Sequence, residues 1–286
     1  MKIILYFLQY IFIKLFFLIC KIIGFKKASN FGKFVGEKIG PIFKSKAIIK
    51  KNINLILPNT SQENIDIITK KMWGNYGRIL AEYPFLKKFK NNSLDQYIEI
   101  EGKEYLEEIK KDNRRVVFVS GHFNNFELMA MQLENSGLNI AAIYRPLNNI
   151  FLNRIMEKIR LNDICKKQIK KGKSGTRELL QLFKDGYSIA LMIDQRVSEG
   201  IKSQLFKRSA LTTTIPAQLV KKYGVDVVPI YIERKKKVYF KMYVNKPINF
   251  KKNVSLEEVT ETLNKELEKM ILKKPDQWIW SHDRWK

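Results

Sequence analysis

Val116-Val117-Phe118-Val119-Ser120-Gly121-His122-Phe123-Asn124-Asn125-Phe126-Glu127 decides the reading of the whole chain. The apolar β-formers Val116 to Val119 read as a short strand buried on both faces, the kind found inside a parallel sheet. Ser120-Gly121 breaks the run, and from Phe123 the pattern fits a helix continuing through Leu128, Met129 and Met131. His122 therefore sits at the carboxyl end of a strand, where open α/β sheets place their ligands. Glu127 falls in the first turns of the following helix. On one continuous helix the two side chains would point apart, at about 100° per residue. With His122 still in the loop, Glu127 can swing beneath the ring and accept its Nδ1–H, which makes Nε2 a general base. A His-Glu pair that only caps the turn has the same spacing, so spacing alone leaves both readings open.

Outward from this turn the chain alternates short apolar runs with helical patterns, the signature of α/β architecture. Strands are predicted at Leu138 to Tyr144, Tyr187 to Ile193, Val225 to Glu233 and Val238 to Val244. Helices are predicted at Asn149 to Ile164, Thr176 to Phe183, Thr212 to Lys222 and Ser255 to Leu272. Polar clusters fall at strand ends: His122 with Glu127, then Arg145, then Asp194 with Arg196. In a largely parallel sheet several such ends converge, which makes these residues candidates for a shared site. Asn125, in the first turn, joins Arg145 and Arg196 as a substrate-binding candidate. His282, in Trp280-Ser281-His282-Asp283-Arg284-Trp285, reads as part of a C-terminal packing element.

Upstream, Ile3 to Phe25 is almost wholly apolar, interrupted by Gln9, Lys14, Cys20 and Lys21. Its length suits a membrane span of about 20 residues. Lys14 would have to snorkel, and the segment could instead lie in the interface. Lys21, Lys26, Lys27, Lys33 and Lys38 follow, which by the positive-inside rule keeps the body of the protein cytoplasmic. From Ala28 to Asp95 the reading is helical: Ser45 to Leu57 is basic and amphipathic. A further helix starts near Ser61 or Thr60 as N-cap and carries Ile65, Ile68, Met72, Tyr76, Ile79 and Leu80 on one face. Trp73 and Tyr76 read as core. The predicted organisation is an anchor helix over residues 1–25, a helical region over 26–95, and an α/β catalytic domain over 96–286. The sheet is expected to be mixed but largely parallel and flanked by helices.

The 286 residues carry a net charge of +25, which calls for a polyanionic partner: nucleic acid, an anionic membrane or an acidic protein. No aromatic-basic RNA motif or helix-turn-helix pattern supports nucleic acid. Cys20 and Cys165 have no metal-ligand spacing and form no disulfide framework. Gly172-Lys173-Ser174 imitates the end of a phosphate-binding loop, but Lys167 stands where that motif needs its first glycine. No G-x-S-x-G surrounds Ser120.

The ordered set of motifs resembles the bacterial late acyltransferases of lipid A biosynthesis, the lauroyl/myristoyl type, within the lysophospholipid acyltransferase superfamily. The resemblance spans nearly the whole chain. It rests on the N-terminal apolar helix, Met72 to Arg78 leading to Ala81-Glu82-Tyr83-Pro84, Gly121-His122-Phe123 with Glu127, and Tyr144-Arg145-Pro146-Leu147-Asn148-Asn149. Asp194-Gln195-Arg196, Phe206 to Thr214, Val228-Pro229-Ile230 and Trp278 to Trp285 complete it. Lys207 stands where the family usually has glycine.

The resemblance implies acyl transfer from acyl carrier protein to a hydroxyl of a lipid A precursor, with no acyl-enzyme, metal or cofactor. His122 would be the base and Glu127 its orienting carboxylate; Arg160 would match the family's essential arginine and Asp194 its functional aspartate. The implied place is the cytoplasmic face of the bacterial inner membrane. A glycerolipid acyltransferase acting on lysophosphatidic acid is the alternative. That group typically has Asp at the fifth position and Asn before the histidine, unlike the Gly121-His122 and Glu127 found here.

Overall fold

A computed structural model describes residues 2–43 and 46–286. Its helices are α1 (Lys2–Ile23), α2 (Phe25–Phe43), α3 (Lys46–Ile56), α4 (Gln62–Glu82), α5 (Leu86–Lys90), α6 (Lys103–Lys111), α7 (Glu127–Asn135), α8 (Ile150–Ile159), α9 (Lys173–Lys184), α10 (Ile215–Tyr223) and α11 (Leu256–Lys273). Its strands are β1 (Ile98–Glu101), β2 (Val117–Ser120), β3 (Ile140–Tyr144), β4 (Lys167–Lys170), β5 (Ser188–Met192), β6 (Ile201–Leu205), β7 (Arg208–Thr212), β8 (Val227–Lys236) and β9 (Tyr239–Val244).

Seven strands form one sheet in the order β1-β9-β8-β2-β5-β3-β4. Only the β8–β9 hairpin is antiparallel; β2 pairs in parallel with β5 and β8, and β3 in parallel with β5 and β4. The sheet is thus mixed, largely parallel and flanked by helices, as the alternation implies. β2 is buried along its whole length, because helices cover both faces of a sheet joined by crossovers. Phe118 is fully enclosed, and side chains of that kind contribute roughly 1.5–3 kcal/mol each by leaving water.

Sequence periodicity locates most elements but misplaces several ends. The helix expected from Phe123 begins at Glu127, because the preceding backbone is engaged elsewhere. The Asn124 N–H donates to the Gln277 carbonyl at 3.0 Å, and Phe123 forms an isolated bridge to Trp278. The helix expected over 149–164 is capped by Asn149 but changes at Arg160 into a π-helical turn, Arg160–Ile164. The helix expected from Thr212 starts at Ile215, since Thr212 still belongs to β7. The alternation reading did not find β4, whose Lys-Gln-Ile-Lys sequence looks polar because it is an edge strand, nor the β6–β7 hairpin. The amphipathic stretch from Ser45 is helical from Lys46; Ser45 itself lies outside the described residues. Ser61 does cap α4, accepting the Asn64 N–H at 3.3 Å, and Ser255 with Glu258 forms a capping box on α11.

α2 packs along α4 through glycine notches. A Cβ on Gly36 would stand 2.2 Å from the Trp73 carbonyl oxygen, and one on Gly77 would stand 1.9 Å from the Gly32 carbonyl oxygen. The axes approach so closely that no side chain fits between them. Trp73 is buried there, as expected of core. α1 is long and apolar enough to cross a membrane. It buries Phe16 and Cys20 but leaves Ile3, Phe12 and Ile22 more than half exposed. It docks beside α8: the Asn149 side chain donates to the Tyr6 carbonyl at 2.9 Å, and Phe7 meets Phe151 edge-on at 5.5 Å.

Candidate active site

β2 and β5 run side by side in the same direction, with Ser120 opposite Met192. Two residues past each of these stand His122 and Asp194, so the register of the two strands brings them together. Asp194 Oδ1 lies 2.8 Å from His122 Nδ1, and Asp194 Oδ2 accepts the His122 backbone N–H at 2.7 Å. The indole N–H of Trp278 donates to that second oxygen at 2.9 Å. The Asp194 carboxylate is wholly buried. Burial works to raise its pKa, but the His122 charge and three hydrogen bonds hold it below the ordinary carboxylate value. Burial works to lower the His122 pKa, and the Asp194 charge and hydrogen bond outweigh it, leaving the imidazole above its ordinary value. With Nδ1 held, Nε2 is the nitrogen free to exchange a proton.

Glu127 is not the partner of Nδ1, which corrects the reading from spacing. As the first residue of α7 it turns its carboxylate toward Arg160 and Tyr83. Arg160 donates from Nε at 3.1 Å and from Nη2 at 2.7 Å to Glu127 Oε1, and the Tyr83 hydroxyl donates to the same oxygen. Burial and then the Glu127 charge push the Tyr83 pKa well up. Burial opposes the charged form of Arg160, but Glu127 and Tyr83 raise its pKa further still. The Glu127 charge still reaches His122 and favours its protonated form. The π-helical turn carries Arg160 to this position, a common place for such a turn.

His122, Glu127, Arg160 and Arg145 line one cavity of about 500 Å³. Part of its wall is apolar. Phe118, Ala190 and Ala142 are register partners on adjacent strands β2, β5 and β3, so they form a row across the sheet. Met129 and Ala130 of α7 also line the cavity. The alanines leave room that larger side chains would fill. Arg145 sits exposed at the rim. Two candidates do not reach inside. Asn125 is 1% exposed, donates its amide to Glu82 Oε2 at 2.9 Å and is absent from the cavity wall. Arg196 is absent from the cavity wall; its guanidinium meets Ser198 at 3.4 Å, while its backbone N–H donates to His282 Nε2 at 2.9 Å. His282, read as packing, lines the cavity beside Ser281. Tyr83 and Trp278 are the further site residues; both lie in recognisable motif segments, but nothing local marks their contacts. Among the described residues no group of three or more His, Cys, Asp or Glu side chains is placed to hold a metal ion.

Residues 1–286 match the family model of the bacterial lipid A biosynthesis acyltransferases. The chain belongs to that family. Among its relatives are the lipid A biosynthesis palmitoleoyltransferase of Escherichia coli K12, 24% identical over 266 residues covering 88% of this chain and 84% of that protein. The lauroyltransferase of the same organism is 24% identical over 84% of this chain and 78% of its own length. The myristoyltransferase is 21% identical over 88% and 77%. The His122 cavity is the candidate active site of this family member.

Proposed function

We propose that the chain transfers a fatty acyl group from the thioester of acyl carrier protein to a hydroxyl of a lipid A precursor. The observation that carries this reading is the His122–Asp194 pair, whose histidine lines a cavity with an apolar stretch of wall. In the reaction His122 Nε2 takes the hydroxyl proton as the acceptor oxygen attacks the thioester carbonyl. Asp194 keeps the proton on Nδ1 and stabilises the imidazolium. The C–O bond forms, the C–S bond breaks, and the imidazolium returns its proton to the departing thiolate. The His122 backbone N–H is already committed to Asp194, so the developing oxyanion needs another donor. Arg160 is that donor: Glu127 and Tyr83 hold it by Nε and Nη2, and Nη1 makes no bond among the described residues.

The acyl chain lies in the slot between the Phe118–Ala190–Ala142 row and α7. α1 anchors the protein in the inner membrane with the catalytic body on the cytoplasmic face. Its contact with Asn149, next to the cavity residues Leu147 and Asn148, supports a membrane-borne acceptor entering on that side. The charge of +25 suits both an acidic acyl carrier protein and a phosphorylated glycolipid on an anionic leaflet.

The test is transfer of a labelled acyl group from acyl carrier protein to an under-acylated lipid A precursor by membranes containing the protein, with lysophosphatidic acid as a parallel acceptor. Product on the lipid A precursor that disappears in His122→Ala is the expected result. Product on lysophosphatidic acid alone, or product that survives the substitution, overturns the reading.

A further inference from the structure

A second cavity of about 250 Å³ shares no lining residue with the first. It is walled by Arg78, Arg234 and five lysines, with Asp276 the one carboxylate among the described lining residues. Its wall residue Gln277 accepts the Asn124 backbone N–H and side-chain amide at 3.0 and 2.9 Å, so it backs onto the turn that follows His122.

The charges here do not balance. Lys33 pairs with Glu37 at 3.5 Å, Lys71 with Asp276 at 3.7 Å and Arg234 with Glu82 at 2.8 Å. Arg78, Lys237 and Lys274 have no carboxylate within 4.0 Å among the described residues. Arg78 is only 8% exposed, and its one hydrogen bond runs from Nη1 to Ser29 Oγ at 2.7 Å. Ser29 passes that contact to Glu82 at 2.6 Å, so a single buried carboxylate serves two guanidinium groups. The buried Nε of Arg234 has no acceptor among the described residues. Burial and the nearby Arg234 pull the Arg78 pKa down to about 10, against the pull of Glu82 and Glu37. An enclosed, under-bonded guanidinium is costly unless an anion completes it. A fork of N–H donors ringed by ammonium groups fits a tetrahedral oxyanion better than a halide or a single carboxylate.

We propose that this second cavity binds a phosphate group, presented by free phosphate or by the headgroup of an anionic lipid, with Arg78 at its centre and Lys237 and Lys274 at its rim. The proposal is independent of the acyl-transfer reading. Isothermal titration tests it: the full chain in uncharged detergent is titrated with inorganic phosphate at ionic strength held constant by chloride. Saturable 1:1 binding is expected, abolished in Arg78→Gln and weakened roughly fivefold in Lys237→Gln/Lys274→Gln, whose exposed positions leave the fold intact. Arg145→Gln, at the rim of the other cavity, keeps the parent affinity. Dihexanoyl phosphatidylglycerol, with dihexanoyl phosphatidylcholine as control, then separates the sources. Competition with phosphate by the phosphatidylglycerol but not the phosphatidylcholine assigns the site to an anionic headgroup; no competition assigns it to free phosphate. Absence of saturable binding by either probe, or binding unchanged in the lysine double variant, overturns the proposal.

Discussion

Asp194 holds His122 twice, through Nδ1 at 2.8 Å and through the backbone N–H at 2.7 Å. One carboxylate thus sets both the ring tautomer and the position of the residue that carries the ring. The geometry gives Asp194 the contact that spacing assigns to Glu127, and it makes the difference testable.

Asp194→Asn should lower kcat by about 10³–10⁴-fold, because an amide can stabilise the wrong tautomer and cannot support the imidazolium. Circular dichroism should show the fold retained. Glu127→Gln should cost less, since it leaves the Nδ1 contact in place. An Asp194→Asn enzyme of near-parent activity would refute the assignment.

The pH dependence follows from the same pair. His122 works as a base only when unprotonated, and its pKa is raised above the ordinary 6.5. The acid limb of kcat/KM should therefore lie above pH 6.5, with activity falling as pH drops through it. In Asp194→Asn the larger raising influence is gone, leaving burial against the weaker pull of the Glu127 charge, so the limb of the residual activity should move to lower pH. A limb that stays in place would show that another group controls it.

Glu127 and Arg160 form a mostly enclosed ion pair, with side chains 8% and 13% exposed. Removing one partner should destabilise the protein by about 3–5 kcal/mol, because the other is left buried and uncompensated. Glu127→Gln combined with Arg160→Gln should be markedly less destabilising than the sum of the single changes in denaturant unfolding. Additive losses would mean that the pair is not coupled.

Gly121 has no room for a side chain. A Cβ there would stand 2.8 Å from the Phe123 ring and 3.1 Å from Asp194 Oδ2. Gly121→Ala should shift His122 relative to its partner and cost about 10²-fold in kcat, with a smaller change in KM. Parent-like kinetics would show that the turn relaxes without disturbing the pair.

Ala130 of α7 lines the same cavity as Ala142 and Ala190. Ala130→Leu should move the preferred acyl chain to a shorter length, each excluded methylene costing about 10–200-fold in selectivity. Mass spectrometry of products from mixed acyl donors reads this directly. An unchanged product distribution would place the acyl chain elsewhere.

Much of the architecture is legible in the order of residues. Val116 to Val119 is too apolar and too short for anything but an interior strand, and it is buried throughout. The break at Ser120-Gly121 puts His122 at a strand end whatever the neighbours are. α4 and α11 announce themselves through Ser61, Ser255 and their apolar faces. Elements whose backbone bonds go to distant segments are harder to read. The turn from Phe123 to Phe126 looks helical because nothing local shows that Gln277 and Trp278 take up its backbone. β4 looks like a polar loop because an edge strand buries few of its side chains.

By itself the sequence determined that this is a largely parallel α/β protein with an apolar N-terminal helix and a histidine at the mouth of its sheet. Hydrophobic periodicity and chain-breaking residues are local properties, and they suffice for that. Only the tertiary structure decided what the histidine touches. Chain order places Glu127 five residues from His122 and Asp194 seventy-two away, but sheet order places β5 directly beside β2. Strand adjacency is set by the packing of the whole core, and it is adjacency that brings the Asp194 carboxylate to the imidazole.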